Sequence, residues 1–446
     1  MRKILVLGAG RSSSSLIDYL IKQSNTQQWQ IQVADLSLEM AQQRVNGHKN
    51  AIAVELDSNN EERTSTLIAD SDLVISMLPA AAHVAIAKMC IAHKKDMVTA
   101  SYVSPEMMAL DEAAKAAGIT IMNEVGVDPG IDHLSAKKVI DELKDKGAKI
   151  VGFETFTGGL VAPEYDNNPW NYKFTWNPRN VVLASSGGAV KFIEKGKYKY
   201  IPYHRVFRRT ERISVEGYGE FEGYANRDSL KYRKIYGLED IQTMYRGTLR
   251  RPGFCRAWDV FVQLGATDDS YVLDNSEQMT YREFINSFLK YSTKDSVELK
   301  LMHYLKMDHD DEELMNKLKW LDIFEKIPVG LKKATPAQVL QSILERKWKL
   351  ASNERDMIVM WHKFEYELEG KQREMHSSMV VEGEDSVYTA MAKTVGLPVA
   401  ISAKLILNGN ITLKGVQIPI EKQVYEPVLE ELSTFGITFK EKEITH

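Results

Sequence analysis

The sequence predicts an α/β protein: a doubly wound parallel-sheet domain first, then a mixed α/β domain and a small helical subdomain. Three observations predict it. Continuously apolar short runs alternate with helix-periodic stretches as far as Asn123. A glycine-rich turn, Gly8-Ala9-Gly10, joins the first run to the first helix. The pattern then changes after Lys149 to β-like stretches with paired glycines, and again near Tyr281 to charged, helix-periodic sequence.

The strands are expected at Lys3–Leu7, Gln30–Asp35, Ala51–Leu56, Leu73–Leu78, Met97–Ser101 and Ile119–Asn123, because apolar runs this short suit strands covered on both faces. Helices are expected at Ser13–Gln23, Ala80–His93 and Pro105–Ala117, the last closed by Gly118. In the second domain Ile150–Thr157 and Val181–Leu183 read as strands. Thr335-Pro336 starts a helix in the helical subdomain. Asp356–Glu367 and Arg373–Val381 alternate around the polar turn Glu369-Gly370-Lys371. Helices at Asp385–Val395 and Val399–Leu407 are separated by Gly396-Leu397-Pro398. The resulting expectation is 1–130 for the dinucleotide-type domain, 131–280 for the mixed domain and 281–350 for the helical subdomain. Strands at 351–384 return to the mixed domain, and 385–446 packs back on the first.

Composition excludes several classes. With 446 residues, one hydrophobic core is not enough. A net charge of −4 gives no general pull toward nucleic acid or an anionic membrane. Two cysteines are too few for a disulfide framework or a Cys-based zinc site, and no metal centre is expected. The apolar run after Met1-Arg2-Lys3 is shorter than a signal-peptide core, and no bilayer-spanning segment is read elsewhere, so the cytoplasm is the expected location.

Gly8-Ala9-Gly10-Arg11-Ser12-Ser13 stands between a strand and a helix, the context that a Rossmann dinucleotide fingerprint requires. Gly8 suits the tight turn and Gly10 the close approach of pyrophosphate. Ser13 replaces the third glycine, making the fingerprint a variant one. Arg11, Ser12 and Ser13 lie where a helix N-terminus meets phosphate. Asp35, ending the second strand, can accept from the adenosine ribose and would repel a 2′-phosphate, while Leu36 and Ser37 offer no cation. This favours NAD over NADP. Ligand in such a fold lies at the carboxyl ends of strands, which brings in Asp57, Ser76, Leu78 and Ser101 as cofactor candidates.

The run Asn123–His133 (NEVGVDPGIDH) is dense in glycine and polar residues beside that crevice. Asp128 is a candidate for proton transfer. His133 reads as a structural histidine and Asp132 as a helix N-cap. Ten arginines fall between Arg205 and Arg256, in elements such as Asn226-Arg227-Asp228-Ser229 and Tyr245–Phe254. Arginine with glycine and hydroxyl residues suits bidentate binding of carboxylates. No nucleic-acid module accompanies them.

Thr99–Ile119 (TASYVSPEMMALDEAAKAAGI), Met122–His133, Gly158–Trp176 (GGLVAPEYDNNPWNYKFTW), Asn226–Ser229, Tyr245–Phe254 (YRGTLRRPGF) and Asp385–Leu407 strongly resemble the glutamate-forming saccharopine dehydrogenases, also called saccharopine reductases. The resemblance runs in the same order over nearly the whole chain and is weakest in the helical subdomain. It implies a variant Rossmann domain, a substrate and dimerisation domain, and a homodimer. It also implies saccharopine contacts at Ser101, Tyr102, Asp128, Trp176, Arg227 and Thr248, with neighbouring Gly247 and Leu249. The implied reaction interconverts saccharopine with glutamate and 2-aminoadipate 6-semialdehyde, in lysine metabolism. Fungal members are typically NADP-dependent, from which Asp35 departs. The alternatives are a related dehydrogenase for another amine, such as a carboxynorspermidine-type product, and a non-catalytic dinucleotide-binding paralogue.

Overall fold

A computed structural model describes residues 1–184, 186–308 and 311–444. The N-terminal stretch contains β1 (Arg2–Leu7), α1 (Ser14–Gln27), β2 (Trp29–Asp35), α2 (Leu38–Val45), β3 (Ala51–Glu55), α3 (Glu61–Ala69), β4 (Leu73–Ser76), α4 (His83–His93), β5 (Asp96–Val98), α5 (Pro105–Met108), α6 (Asp111–Ala117), β6 (Thr120–Met122) and α7 (Ile131–Asp145). The strands form where the apolar runs are, and Ile4–Leu7 and Leu73–Ile75 are fully buried. Capping residues place the helices. Ser37 accepts the Met40 N–H to start α2, and Asn60 accepts the Arg63 N–H to start α3. Gly118 ends α6 at φ 72°.

The single helix expected over Pro105–Ala117 is two. The chain tightens at Ala109-Leu110, where Leu110 N–H bonds Met107 O at 3.0 Å. The second piece starts at Asp111, whose Oδ1 accepts the Val416 N–H at 2.8 Å.

The middle of the chain contains β7 (Lys149–Val161), α8 (Pro178–Val182), β8 (Val190–Glu194), β9 (Lys197–Ile201), β10 (Thr210–Val215), β11 (Gly219–Ala225), α9 (Tyr232–Ile235), β12 (Thr243–Arg250), α10 (Phe254–Leu264), α11 (Tyr281–Ser287), α12 (Val297–Leu305), α13 (Glu312–Trp320), α14 (Pro336–Lys347), β13 (Asp356–Leu368) and β14 (Lys371–Glu382). Val181-Val182, expected in a strand, lies in α8. Asn177 caps that helix through the Arg179 N–H, and Pro178 opens it. Reciprocal capping boxes, Thr280 with Glu283 and Thr335 with Gln338, start α11 and α14. The β13–β14 hairpin turns through Glu369 and Gly370 at φ 55° and 73°, the left-handed pair that matches strand twist.

The chain ends with α15 (Ala390–Leu407), β15 (Gly415–Gln417), α16 (Lys422–Ser433) and β16 (Lys440–Ile444). The two helices expected around Gly396-Leu397-Pro398 are one, with Pro398 inside it. At 18 residues and mean hydropathy 1.5, α15 is long and apolar enough to cross a bilayer, although 78% of it is buried in the protein.

The molecule comprises two compact units. One comprises Met1–Ile150, Glu367–Arg373 and Met379–Lys442, and the other comprises Val151–Tyr366, Glu374–Ser378 and Glu443–His446. In the first, a seven-stranded parallel sheet runs β15-β6-β5-β4-β1-β2-β3. The strand order reverses beside β1, which puts the ligand crevice at its carboxyl end. Helix α7 stays in this unit, beyond the expected boundary at 130, where Tyr425 OH of α16 donates to Asp141 Oδ2 at 2.9 Å.

The second sheet runs β10-β11-β12-β7-β13-β14-β16, with β8 and then β9 branching from β12. An aromatic core in the second unit gathers Trp170, Tyr172, Phe254, Trp258 and Trp348, with ring centroids 5.0–6.0 Å apart.

Candidate functional site

The glycine turn follows from its backbone angles. Gly8 sits at φ +104°, where a Cβ would lie 3.0 Å from Met77 O, so only glycine fits. Its N–H donates to Ala34 O at 2.8 Å. Gly10 differs: a Cβ there meets nothing within 4 Å, leaving an open face at the entrance to α1. That open face suits close approach of a pyrophosphate. A short 3-10 turn, Arg11–Ser13, precedes α1. Ser13 is buried and donates to Gly10 O at 2.8 Å, so its hydroxyl braces the turn, whereas Arg11 is exposed and Ser12 half-buried.

Both oxygens of Asp35 are engaged by backbone, one by the glycine turn and one by the start of α2. Oδ2 accepts the Ala9 N–H at 2.7 Å and Oδ1 the Ser37 N–H at 2.9 Å. Arg44 on α2 lies against it, donating to Ala9 O at 3.3 Å and Gly10 O at 3.4 Å. Burial lowers this guanidinium from its usual value. Sequence reasoning missed Arg44 because it looked for a cation directly after Asp35, whereas α2 brings this one back. Asp57 is exposed, and its Oδ1 is engaged by its own loop through Asn59 N at 2.9 Å and Nδ2 at 3.0 Å.

At the ends of β4 and β5, Ser76 Oγ lies 2.9 Å from His83 Nδ1, and Ser101 Oγ 2.7 Å from His83 Nε2. Ser76 is therefore tied to a histidine that sequence reasoning passed over as ordinary helix. Burial pushes the His83 imidazole down to about 4, so it is neutral at physiological pH. Leu78 is half-buried and packs on the apolar cluster that includes Leu7, Val74 and Ile86.

Tyr102 and Asp128 meet: the phenol donates to Asp128 Oδ1 at 3.1 Å. Both are half-buried. The loop carrying Asp128 is closed tightly, with Gly126 N–H on Pro129 O at 2.8 Å and Ile131 N–H on Gly126 O at 2.9 Å. Gly130 at φ +148° has no room for a side chain, since a Cβ would fall 2.0 Å from Gly126 O. Glu124 spans the site from below, accepting the Val103 N–H at 2.9 Å and pairing with buried His133 at 2.8 Å. Asp132 is not the N-cap. Gly130 holds that position, and Asp132 sits in the first turn, accepting the Gly130 N–H at 2.6 Å.

In the second unit, β12 and the loop after β11 carry the remaining residues except Trp176, which lies just before α8. Asn226 Nδ2 donates to Thr248 Oγ1 at 2.9 Å. Arg227 is exposed at φ +53°, and its carbonyl accepts the Lys191 N–H at 3.2 Å. Trp176 is half-buried. Gly247 lies under Phe156, where a Cβ would come within 2.3 Å of the ring. The Leu249 side chain is fully buried, so it can offer a ligand only backbone.

Sequence reasoning did not single out Arg250. It is buried, packed over Tyr172 at 4.9 Å and Phe254 at 5.2 Å, with Nη1 on Leu249 O at 2.8 Å and Nε without a hydrogen-bond partner among the described residues. Among the described residues no group of three or more His, Cys, Asp or Glu is placed to hold a metal ion.

A parallel sheet reversing beside a glycine turn, with an open Gly10 face, defines a dinucleotide-dependent oxidoreductase. The chain belongs to the saccharopine dehydrogenase family: residues 4–122 match the model described as the saccharopine dehydrogenase NADP binding domain, and residues 126–437 match the saccharopine dehydrogenase C-terminal domain. It is 35% identical over 99% of both chains to saccharopine dehydrogenase [NADP(+), L-glutamate-forming] of Schizosaccharomyces pombe. The protein of that name from Pyricularia oryzae is also 35% identical, again over 99% of both chains. The solved apo saccharopine dehydrogenase (L-Glu forming) from Saccharomyces cerevisiae superposes with a TM-score of 0.90 at 32% identity, covering 100% of both chains.

These comparisons correct the preference for NAD. The matched domain and the relatives are described by NADP. A preference for NAD set by Asp35 requires a free carboxylate facing the ribose and no cation nearby. Instead both oxygens hold backbone N–H groups, and Arg44 brings a guanidinium to the turn.

Proposed function

We propose that this enzyme interconverts L-saccharopine, NADP+ and water with L-glutamate, 2-aminoadipate 6-semialdehyde, NADPH and a proton. The observation that carries this reading is the match to glutamate-forming saccharopine dehydrogenases over 99% of both chains. The Gly8–Gly10 turn and the start of α1 would hold the pyrophosphate, and Arg44 is the cation beside them. When bound, the nicotinamide accepts or returns the hydride.

The protein's own residues orient substrate and handle protons. Saccharopine carries three carboxylates around a secondary amine, so fixed cations are needed, and Arg227 supplies one as a carboxylate clamp. Asp128, held by the Tyr102 phenol, accepts or returns the proton exchanged at the amine and at the water that attacks the imine. Ser101, Trp176 and Thr248 complete the substrate contacts, Ser101 also facing the coenzyme. A homodimer in the cytoplasm is part of this reading, to be tested by sedimentation and fractionation.

The test is saccharopine-dependent reduction of NADP+, run beside carboxynorspermidine. Saccharopine turnover with none for carboxynorspermidine is expected, and the reverse preference would refute the reading. In Arg227→Ala the saccharopine KM should rise strongly with the coenzyme KM little changed; a wild-type saccharopine KM would remove the clamp.

A further inference from the structure

The hydrogen-bond chain through His83 has a direction. His83 opens α4 and is 3% exposed, between Ser76 at the end of β4 and Ser101 just beyond β5. A neutral imidazole carries one N–H and one lone pair, so it cannot donate to both serines. Ser76 is fully buried, and among the described residues its hydroxyl has His83 Nδ1 as its hydrogen-bond partner. Its proton therefore needs Nδ1 as acceptor. That assigns the ring proton to Nε2, which donates to Ser101 Oγ at 2.7 Å.

Ser101 then has its oxygen satisfied from inside and its own O–H left to give. The rest of Ser101 is already fixed. Its N–H reaches Thr99 Oγ1 at 3.3 Å, and its carbonyl accepts the Glu124 N–H at 3.1 Å. The hydroxyl direction is the remaining freedom, and the imidazole removes it.

We propose that His83 is a positioning residue: as the Nε2–H tautomer it presents the Ser101 hydroxyl as a hydrogen-bond donor to a carboxylate or carbonyl oxygen of the bound substrate. The proposal rests on the substrate reading of the Ser101–Tyr102–Asp128 cluster. It predicts an asymmetry that a simple strand-bridging role lacks. A glutamine amide reaches the place of Nε2, an asparagine amide that of Nδ1. His83→Gln keeps the contact to Ser101 and loses Ser76, whereas His83→Asn does the opposite.

The experiment measures saccharopine KM and kcat, with NADPH binding followed by its fluorescence, for wild type, His83→Gln, His83→Asn, Ser101→Ala and His83→Asn/Ser101→Ala. The expected result is a KM raised at least tenfold in His83→Asn and Ser101→Ala, but within threefold of wild type in His83→Gln. NADPH affinity should stay within twofold of wild type in His83→Gln and His83→Asn. The double variant should be no worse than Ser101→Ala alone, since the two residues act as one unit. Equal KM values for the Gln and Asn variants, or additive losses in the double variant, overturn the positioning role. A wild type that binds NADPH but does not turn over saccharopine instead overturns the functional reading beneath it.

Discussion

Acid stability should report on His83. Burial holds its folded value at about 4, whereas an unfolded histidine titrates near pH 6.5. Between these values the unfolded chain binds more protons than the folded one, so acid favours unfolding. The contribution is fully present above about pH 6.5 and is lost as the pH falls toward 4. At pH 5 the loss from this one group amounts to about 2 kcal/mol. The perturbation is His83→Gln, which removes the titration and keeps a polar, hydrogen-bonding side chain. Its loss of the Ser76 contact is a constant offset that cancels between pH values. Urea unfolding of both proteins at pH 7.5 and pH 5 is the assay. The stability advantage of wild type should shrink by about 2 kcal/mol at the lower pH. An unchanged gap would refute a buried, neutral His83.

Other perturbations test other parts of the account. Gly130→Ala forces a Cβ to 2.0 Å from Gly126 O at a left-handed φ, and should cost about 2–3 kcal/mol in thermal or urea unfolding; an unaltered midpoint would contradict the tight turn. Lys173 and Glu354 form an ion pair with both side chains buried. Lys173→Met strands the carboxylate and should cost about 3–5 kcal/mol, and a loss below about 1 kcal/mol would show that the pair does not matter. Tyr102→Phe removes the hydrogen bond that holds Asp128 and should lower kcat by about tenfold, less than the roughly 100-fold or more expected for loss of the proton-transfer group itself; a wild-type kcat would show that Asp128 does not need this hold.

Most of the first sheet was legible because its strands are self-declaring. Ile4–Leu7 and Leu73–Ile75 are apolar without interruption and end in turns. Strand β15 was not legible: three residues, Gly415–Gln417, join a sheet edge only because Asp111 and the backbone of β6 receive them. Pro398 misled for a related reason. Proline signals a helix break locally, yet buried packing carries α15 through it.

In the candidate site, the glycine turn showed itself through local pattern, and the proposed saccharopine contacts came through resemblance. His83, Arg44 and Arg250 did not. Each gains its meaning from partners far away in sequence: His83 from the ends of two strands, Arg44 from the Ala9 and Gly10 carbonyls, Arg250 from an aromatic cage. Asp35 shows the converse. Its position matched a ribose-binding acid, but the structure engages its oxygens with the backbone N–H groups of Ala9 and Ser37.

Cleavage of saccharopine to glutamate is best checked by identifying the products. Saccharopine labelled with 15N at its secondary amine, incubated with the enzyme and NADP+, should yield 15N-glutamate in equal amount to NADPH. Label recovered instead on the ε-nitrogen of lysine, with 2-oxoglutarate as co-product, would contradict it.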